Sequence, residues 1–266
     1  MHTNCVSPEK DAGAIYDHLR QVEEEYVRIG PVLISAQREI TSRMRTTLVD
    51  WLVEVSEEFS LIPETLFLAI AFVDRYLVEE EVPRRSLQLL GITCIFIAAK
   101  FEEIYSPQIS ELCDITDNTY SAEQILVMER QVLEALRFRM CQPTVNTFLN
   151  YYTLVGELYQ EDVFLSRYLC ELTLLDCTFC EYRVSVIAAA AVMLSTSMVS
   201  GNTWSRRLST DTGYEEECLT DCALSIKMFV TKAITPSECS VYEKYSQLRF
   251  NEVAKRLHTC VWEWPI

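Results

Sequence analysis

With 266 residues, 49% of them apolar, six glycines and eight scattered prolines, the chain can bury one large core or two modest ones and reads as mostly helical. Its formal charge of −16 excludes counterion release as a driving force for binding DNA or RNA. No apolar run reaches the roughly 18 residues a membrane span needs, and the opening MHTNCVSPEKDAG lacks both an apolar signal core and an Arg-rich amphipathic pattern.

The first periodic element is a helix over about Ala14–Glu25, with Ile15 and Leu19 facing one way. The glutamate triplets Glu23–Glu25, Glu79–Glu81 and Glu215–Glu217 read as solvated faces or loops. From Thr41 to Phe59 a core face is plain: Leu48, Leu52, Val55 and Phe59 recur at four- and three-residue steps. A second stripe on the same helix, Met44, Thr47, Trp51 and Glu54, has the spacing of a core face but mixed chemistry. An unpaired carboxylate is costly inside a core. In a shallow peptide groove, the indole would supply contact area and the carboxylate would meet a cation. A rim tryptophan beside a solvated glutamate is the alternative reading of that stripe.

Glu64–Leu77 opens after Pro63, a good first-turn proline. Leu87–Phe101 is apolar on nearly all sides and is expected to be a central helix. Ala122–Leu136 carries Ile125, Met128, Val132 and Leu136 on one stripe. Pro143-Thr144 marks a seam, with Thr144 placed to cap Val145–Leu154. The second half echoes the first: Val163-Phe164-Leu165 repeats Leu66-Phe67-Leu68 97 positions later, and the Ala-rich Val184–Ser197 matches the central helix near Ile97–Lys100.

Eleven cysteines, an odd count without a signal peptide, point to a reducing compartment. Cys177 and Cys180 form a lone CxxC with no second pair at zinc spacing; on a helix they would share a face with Leu174 and Leu175 as small core residues. The three histidines stand at positions 2, 18 and 258, and no Gly-rich phosphate loop, HExxH or GxSxG string occurs. No catalytic or metal residue is assigned, and no cofactor.

The run MRTTLVDWLVEVSEEF (Met44–Phe59) resembles the opening helix of the cyclin box. So, in order and spacing, do DRYL (Asp74–Leu77), LQLLG (Leu87–Gly91), AAKFEEIY (Ala98–Tyr105), ITDNTY (Ile115–Tyr120), Met128-Glu129, Leu136-Arg137-Phe138 and PTVNTFL (Pro143–Leu149). The similarity spans roughly residues 15–250 and is strongest over 39–149. PTVNTFL, GNTW (Gly201–Trp204) and Thr212-Gly213-Tyr214 fit the A type of cyclin better than the B type.

The resemblance implies an all-α cyclin fold, two tandem five-helix repeats preceded by an N-terminal helix. Residues 1–38 would be an N-terminal tail and helix, 39–141 the N-terminal cyclin box, 142–250 the C-terminal cyclin-like repeat and 251–266 a tail. It implies a chain that activates a cyclin-dependent kinase as its heterodimer partner, catalyses nothing itself, contacts neither nucleic acid nor membrane, and resides in the nucleus or also in the cytoplasm. Lys100 and Glu129 match the paired charges that hold the box to its kinase, and Phe101, Ile104 and Phe138 match the apolar surface that receives the kinase's regulatory helix. The N-terminal helix is expected against the same kinase.

Met44, Leu48, Trp51, Glu54, Leu87 and Gln88 match the groove that recruits substrates or inhibitors bearing an Arg-x-Leu motif. They offer apolar walls, one anion for the arginine and one amide for the peptide backbone. Thr47 departs from the aliphatic residue usual in the family, which should weaken leucine docking by roughly 1 kcal/mol.

Ser7-Pro8-Glu9-Lys10 fits a proline-directed kinase site in a segment expected to be disordered. Arg206-Arg207-Leu208 is read as structural, although it is itself an Arg-x-Leu string. Residues 1–38 are shorter than the tail that A-type cyclins usually carry, and the Arg-x-x-Leu string Arg45–Leu48 lies within a helix, where it is not expected to act as a degron. The competing classes are a cyclin-fold scaffold that does not activate a kinase and a transcription adaptor.

Overall fold

Capping residues and first-turn prolines in the sequence set several of the helix starts. In the computed structural model, which describes residues 8–26, 30–202, 204–232 and 239–259, Pro8 opens α1 (Pro8–Glu25), and the short α2 (Gly30–Leu33) follows. The Thr41 hydroxyl accepts the Met44 N–H to cap α3 (Ser42–Glu58), and Pro63 begins α4 (Pro63–Glu79). After α5 (Leu87–Glu102) and α6 (Ile109–Ile115), a capping box of Ser121 and Gln124 starts α7 (Ala122–Ala135). Thr144 and Thr147 do the same for α8 (Val145–Val155), which opens a second set of five: α9 (Gln160–Thr173), α10 (Val184–Val199), α11 (Arg206–Thr212) and α12 (Glu216–Lys232) complete it. Two short helices, α13 (Ser240–Tyr245) and α14 (Val253–Thr259), follow. Among the described residues there is no strand.

The internal echo is a structural repeat. Helices α4, α5 and α6 begin at 63, 87 and 109, and α9, α10 and α11 at 160, 184 and 206, a constant offset of 97. Packing repeats too. The apolar α5 lies among α3, α4 and α7, and the apolar α10 lies among the corresponding α8, α9 and α12. Each repeat thus has the central helix that uniform hydrophobicity foretells. The α7 stripe of Ile125, Met128, Val132 and Leu136 is buried throughout.

The two repeats are joined by charged side chains that find partners across the junction. Arg45 of α3 is 1% exposed; it donates to both oxygens of Asp74 at 2.6 Å and to the Leu174 carbonyl at 2.8 Å. Glu64 accepts from Thr144 Oγ1, Asn146 Nδ2 and Thr147 Oγ1 at 2.7–2.9 Å, so it tethers the start of α4 to the start of α8.

Several expectations are corrected. Cys177 and Cys180 lie in a 3-10 turn, Cys177–Glu181, and are half-buried rather than on a long helix. Burial raises the Cys180 thiol pKa well above its usual range, with the Asp74 carboxylate adding to it. Burial also lifts Cys222 to about 12 and Cys239 to about 11, so these sulfurs stay protonated and unreactive at neutral pH. Glu23 is not a solvated residue: 6% exposed, it accepts the backbone N–H and the hydroxyl of Ser185, both at 2.8 Å, at the first turn of α10. A carboxylate is favourable there because the first turn of a helix leaves N–H groups unpaired.

Further contacts dock α1 on the second repeat. The Tyr16 ring stacks on Tyr151 at 4.5 Å, its hydroxyl donates to the Thr212 carbonyl at 2.7 Å, and Arg20 lies 4.6 Å from the Tyr214 ring centroid. Leu19 packs inward on this face, whereas Ile15 is exposed. Ser7 lies outside the described residues, while Pro8–Lys10 belong to α1. Arg206-Arg207-Leu208 opens α11, with Leu208 buried.

Candidate functional site

Lys100, next to the last residues of an apolar helix, is 40% exposed and pairs with Glu129 of α7, whose side chain is only 13% exposed. The ammonium also sits 4.0 Å from the Phe96 ring centroid. An ammonium has three N–H donors and the carboxylate takes one, so two are left for other partners. The pair holds α5 against α7 and presents a cation at the surface.

Large apolar side chains stand exposed at the ends of the same two helices. Phe101, in the last turn of α5, is 47% exposed; Ile104 and Tyr105, just beyond it, are 90% exposed, and Phe138, beyond α7, is 68% exposed. Tyr105 was missed by sequence reasoning, although it closes the same KFEEIY string. Phe138 is displayed by unusual backbone: Arg137 and Phe138 have φ of 52° and 54°, the left-handed region that side-chain-bearing residues rarely adopt. Such residues cost on the order of 1–3 kcal/mol each unless the surroundings hold them. Arg75 supplies that hold, since its guanidinium donates to the Arg139 carbonyl and the Gln142 side chain at 2.9 Å and stacks 5.0 Å from the Tyr26 ring.

Glu102, between the paired lysine and the exposed Ile104, is half-buried, and among the described residues no hydrogen-bond donor or cation meets it. Burial raises its carboxyl pKa, and the neighbouring Glu64 and Glu103 raise it further. Glu103 is different, because it accepts Ile62 N–H and Thr65 Oγ1 at 2.8 and 2.7 Å and so caps α4.

The second candidate surface lies where α3 crosses α5. Met44, Trp51 and Gln88 are half-buried, and Thr47 and Glu54 are exposed. Leu48 and Leu87 are only 5% exposed, so they form the floor rather than the walls that were expected. Gly91 explains how close the two helices come: a Cβ there would lie 2.7 Å from Leu48 Cδ1. Glu54, expected to stand ready for a cation, already accepts from Ser240 Oγ at 2.9 Å. The Thr47 hydroxyl turns back to the Arg43 carbonyl at 3.0 Å.

Comparison with known proteins identifies the family. The sequence matches the family model of the cyclin N-terminal domain over residues 14–141 and that of the cyclin C-terminal domain over 143–258. The chain belongs to the cyclin family. Its relatives include A-type cyclins: cyclin-A1-1 of Oryza sativa subsp. japonica is 37% identical over 252 residues, covering 92% of this chain and 50% of the relative. Cyclin-A2 of Gallus gallus is 40% identical over 243 residues, covering 90% and 61%. The chain thus spans about half the length of the first of these relatives. Among solved structures, a viral cyclin from herpesvirus saimiri superposes with a TM-score of 0.72 at 20% identity, covering 86% of this chain and 99% of the other. A chain of the yeast RNA polymerase II CTD kinase complex gives 0.62 at 12% identity, covering 91% and 81%. At those identities the likeness is one of fold.

Proposed function

We propose that this chain is a regulatory subunit that binds and activates a cyclin-dependent serine/threonine kinase in cell-cycle control, acts in the nucleus, and is not itself an enzyme. The observation that carries this reading is the Lys100–Glu129 pair flanked by exposed Phe101, Ile104 and Phe138. Large apolar residues clustered at helix ends beside a presented cation suit an apolar partner helix with free backbone carbonyls. A kinase's regulatory helix is such a partner. Docked there, it turns inward so that its glutamate can pair with the ATP-orienting lysine. The energy comes from binding the active kinase better than the inactive one. Mixing the purified chain with a monomeric cyclin-dependent kinase should strongly stimulate histone phosphorylation. No stimulation by a folded protein would make it a scaffold instead.

The α3–α5 surface is read as the docking groove for substrates or inhibitors carrying Arg-x-Leu. Leu48 and Leu87 form its apolar floor, with Met44 and Trp51 above them; Glu54 would meet the arginine and Gln88 the peptide backbone. Trp51→Ala should weaken binding of a fluorescent Arg-x-Leu peptide at least about tenfold, as removal of a central aromatic anchor does. Thr47→Ile should tighten it about fivefold by restoring roughly 1 kcal/mol of apolar contact. Unchanged affinity in Trp51→Ala would remove the groove from the proposal.

A further inference from the structure

We infer that the crevice between the two repeats is a binding site for a small amphiphilic acid, a ligand with an apolar body and a single carboxylate that pairs with Arg75. This site is separate from the kinase and docking surfaces and rests on neither reading.

A cavity of about 690 Å³ opens in that crevice, within the roughly 300–1,000 Å³ of small-molecule sites. Its apolar walls come from both repeats: Phe67, Ala71 and Val78 of α4 on one side, and Phe179 of the 3-10 turn with Val184 and Ile187 of α10 on the other. The sequence explains the open space. Phe67, Ala71, Arg75 and Val78 recur at four- and three-residue steps, the spacing of a core stripe. Yet Ala71, Arg75 and Val78 are only half-buried. At the offset of 97, α9 carries Tyr168 and Leu172 where α4 has Ala71 and Arg75, and both are 0% exposed. Tyr168 fills its space against Tyr245 of α13, with ring centroids 5.3 Å apart. In the first repeat the small Ala71 leaves room, and Arg75 brings a charge to it.

Arg75 sets the polar end of the ligand. Its Nη1 donates to the Arg139 carbonyl and to Gln142 Oε1 at 2.9 Å, and its Nη2 lies 3.5 Å from the Leu136 carbonyl. A guanidinium has five N–H groups, so two remain. Among the described residues no carboxylate forms an ion pair with Arg75, nor with Arg137 or Arg139, which also line the cavity. Burial lowers the pKa of the Arg75 guanidinium and Arg139 lowers it further, while Tyr26 and Glu79 act the other way. An anion arriving from outside would relieve that cost.

Carboxylates line the cavity too, but the buried one is committed. Glu23 accepts from Ser185, and Glu24 pairs with Arg183. That leaves Glu25 and Glu79, both exposed, against three arginines, a local excess of cations in a chain of formal charge −16. One carboxylate matches the two spare N–H groups of a planar guanidinium. A polyphosphate would bring extra negative charge against Glu25 and Glu79.

The test is calorimetric titration of the full chain with decanoate and with decanamide, which keeps the apolar body and loses the charge. Decanoate should bind saturably and at least about tenfold more tightly, as hydrogen bonds to a charged group imply. Arg75→Gln should cut that advantage below about threefold and change decanamide less than about twofold. Arg75 also holds the turn that displays Phe138, so a second variant leaves it in place. Ala71→Leu, a good helix former that fills the apolar space, should weaken both ligands at least about tenfold, with thermal melts confirming the fold. No saturable binding, equal affinity for acid and amide, or full binding by Ala71→Leu would overturn the site.

Discussion

Lys100→Ala will abolish kinase activation while leaving the free chain folded. The two effects separate because the lysine is 40% exposed but its partner Glu129 is 13% exposed. In the free chain water still reaches the pair, so its loss should cost no more than about 1 kcal/mol of stability. At an interface both groups would be desolvated, and truncating one member of such a pair costs about 2–5 kcal/mol, or roughly 30- to several-thousandfold in affinity. Titration calorimetry against the kinase, beside thermal melts of the free chain, reads both quantities. Glu129→Ala should behave alike, and the double substitution should be little worse than either single one, because each removes the same interaction. Binding within about threefold of wild type in Lys100→Ala would show that the pair is only internal.

The largest loss of stability is expected at Arg45. Burial opposes the charge on its guanidinium, yet the Asp74 carboxylate outweighs burial and raises its pKa. The guanidinium therefore keeps its charge throughout the neutral range. Arg45→Ala would strand Asp74, 4% exposed, and leave the Leu174 carbonyl without its donor. Breaking a buried pair in this way costs about 3–5 kcal/mol, about a fifth or more of the roughly 5–15 kcal/mol that holds a typical domain together. Urea unfolding should show it as a lower midpoint, and the variant should express poorly. Arg45→Met combined with Asp74→Leu should regain much of the loss, since two apolar side chains can replace a buried ion pair. It should not regain all of it, because the Leu174 carbonyl stays unmet, at about 1–3 kcal/mol. If Arg45→Ala unfolds within about 1 kcal/mol of wild type, the clamp between the repeats lies elsewhere. Arg45 is also the first residue of the Arg-x-x-Leu string, and in the folded chain it is committed to this pair.

These two sites were legible to different degrees. Lys100 and Glu129 stood out because a charge at the end of an apolar helix is costly unless something meets it, and the family resemblance named what would. Arg45 was visible only as part of a string. Yet it falls on the core stripe, three residues before Leu48 and seven before Leu52, and that register alone places it inside. Which carboxylate would meet it could not be read from the register.

Hydrophobic period and capping residues by themselves determined a helical chain with an apolar central helix in each half, and the 97-residue echo suggested a repeat, because those signals are local and add along the chain; five helices to each repeat came from the family resemblance. Acidity and the lack of a catalytic constellation likewise came from composition. The tertiary structure alone decided which polar groups meet. Asp74 reaches Arg45 across 29 residues, Ser185 reaches Glu23 across 162, and Ser240 reaches Glu54 across 186. Contacts at those separations depend on the angle and depth at which helices cross. A helical period of about 3.6 residues tells which face is turned inward, but it carries no information about the helix lying opposite.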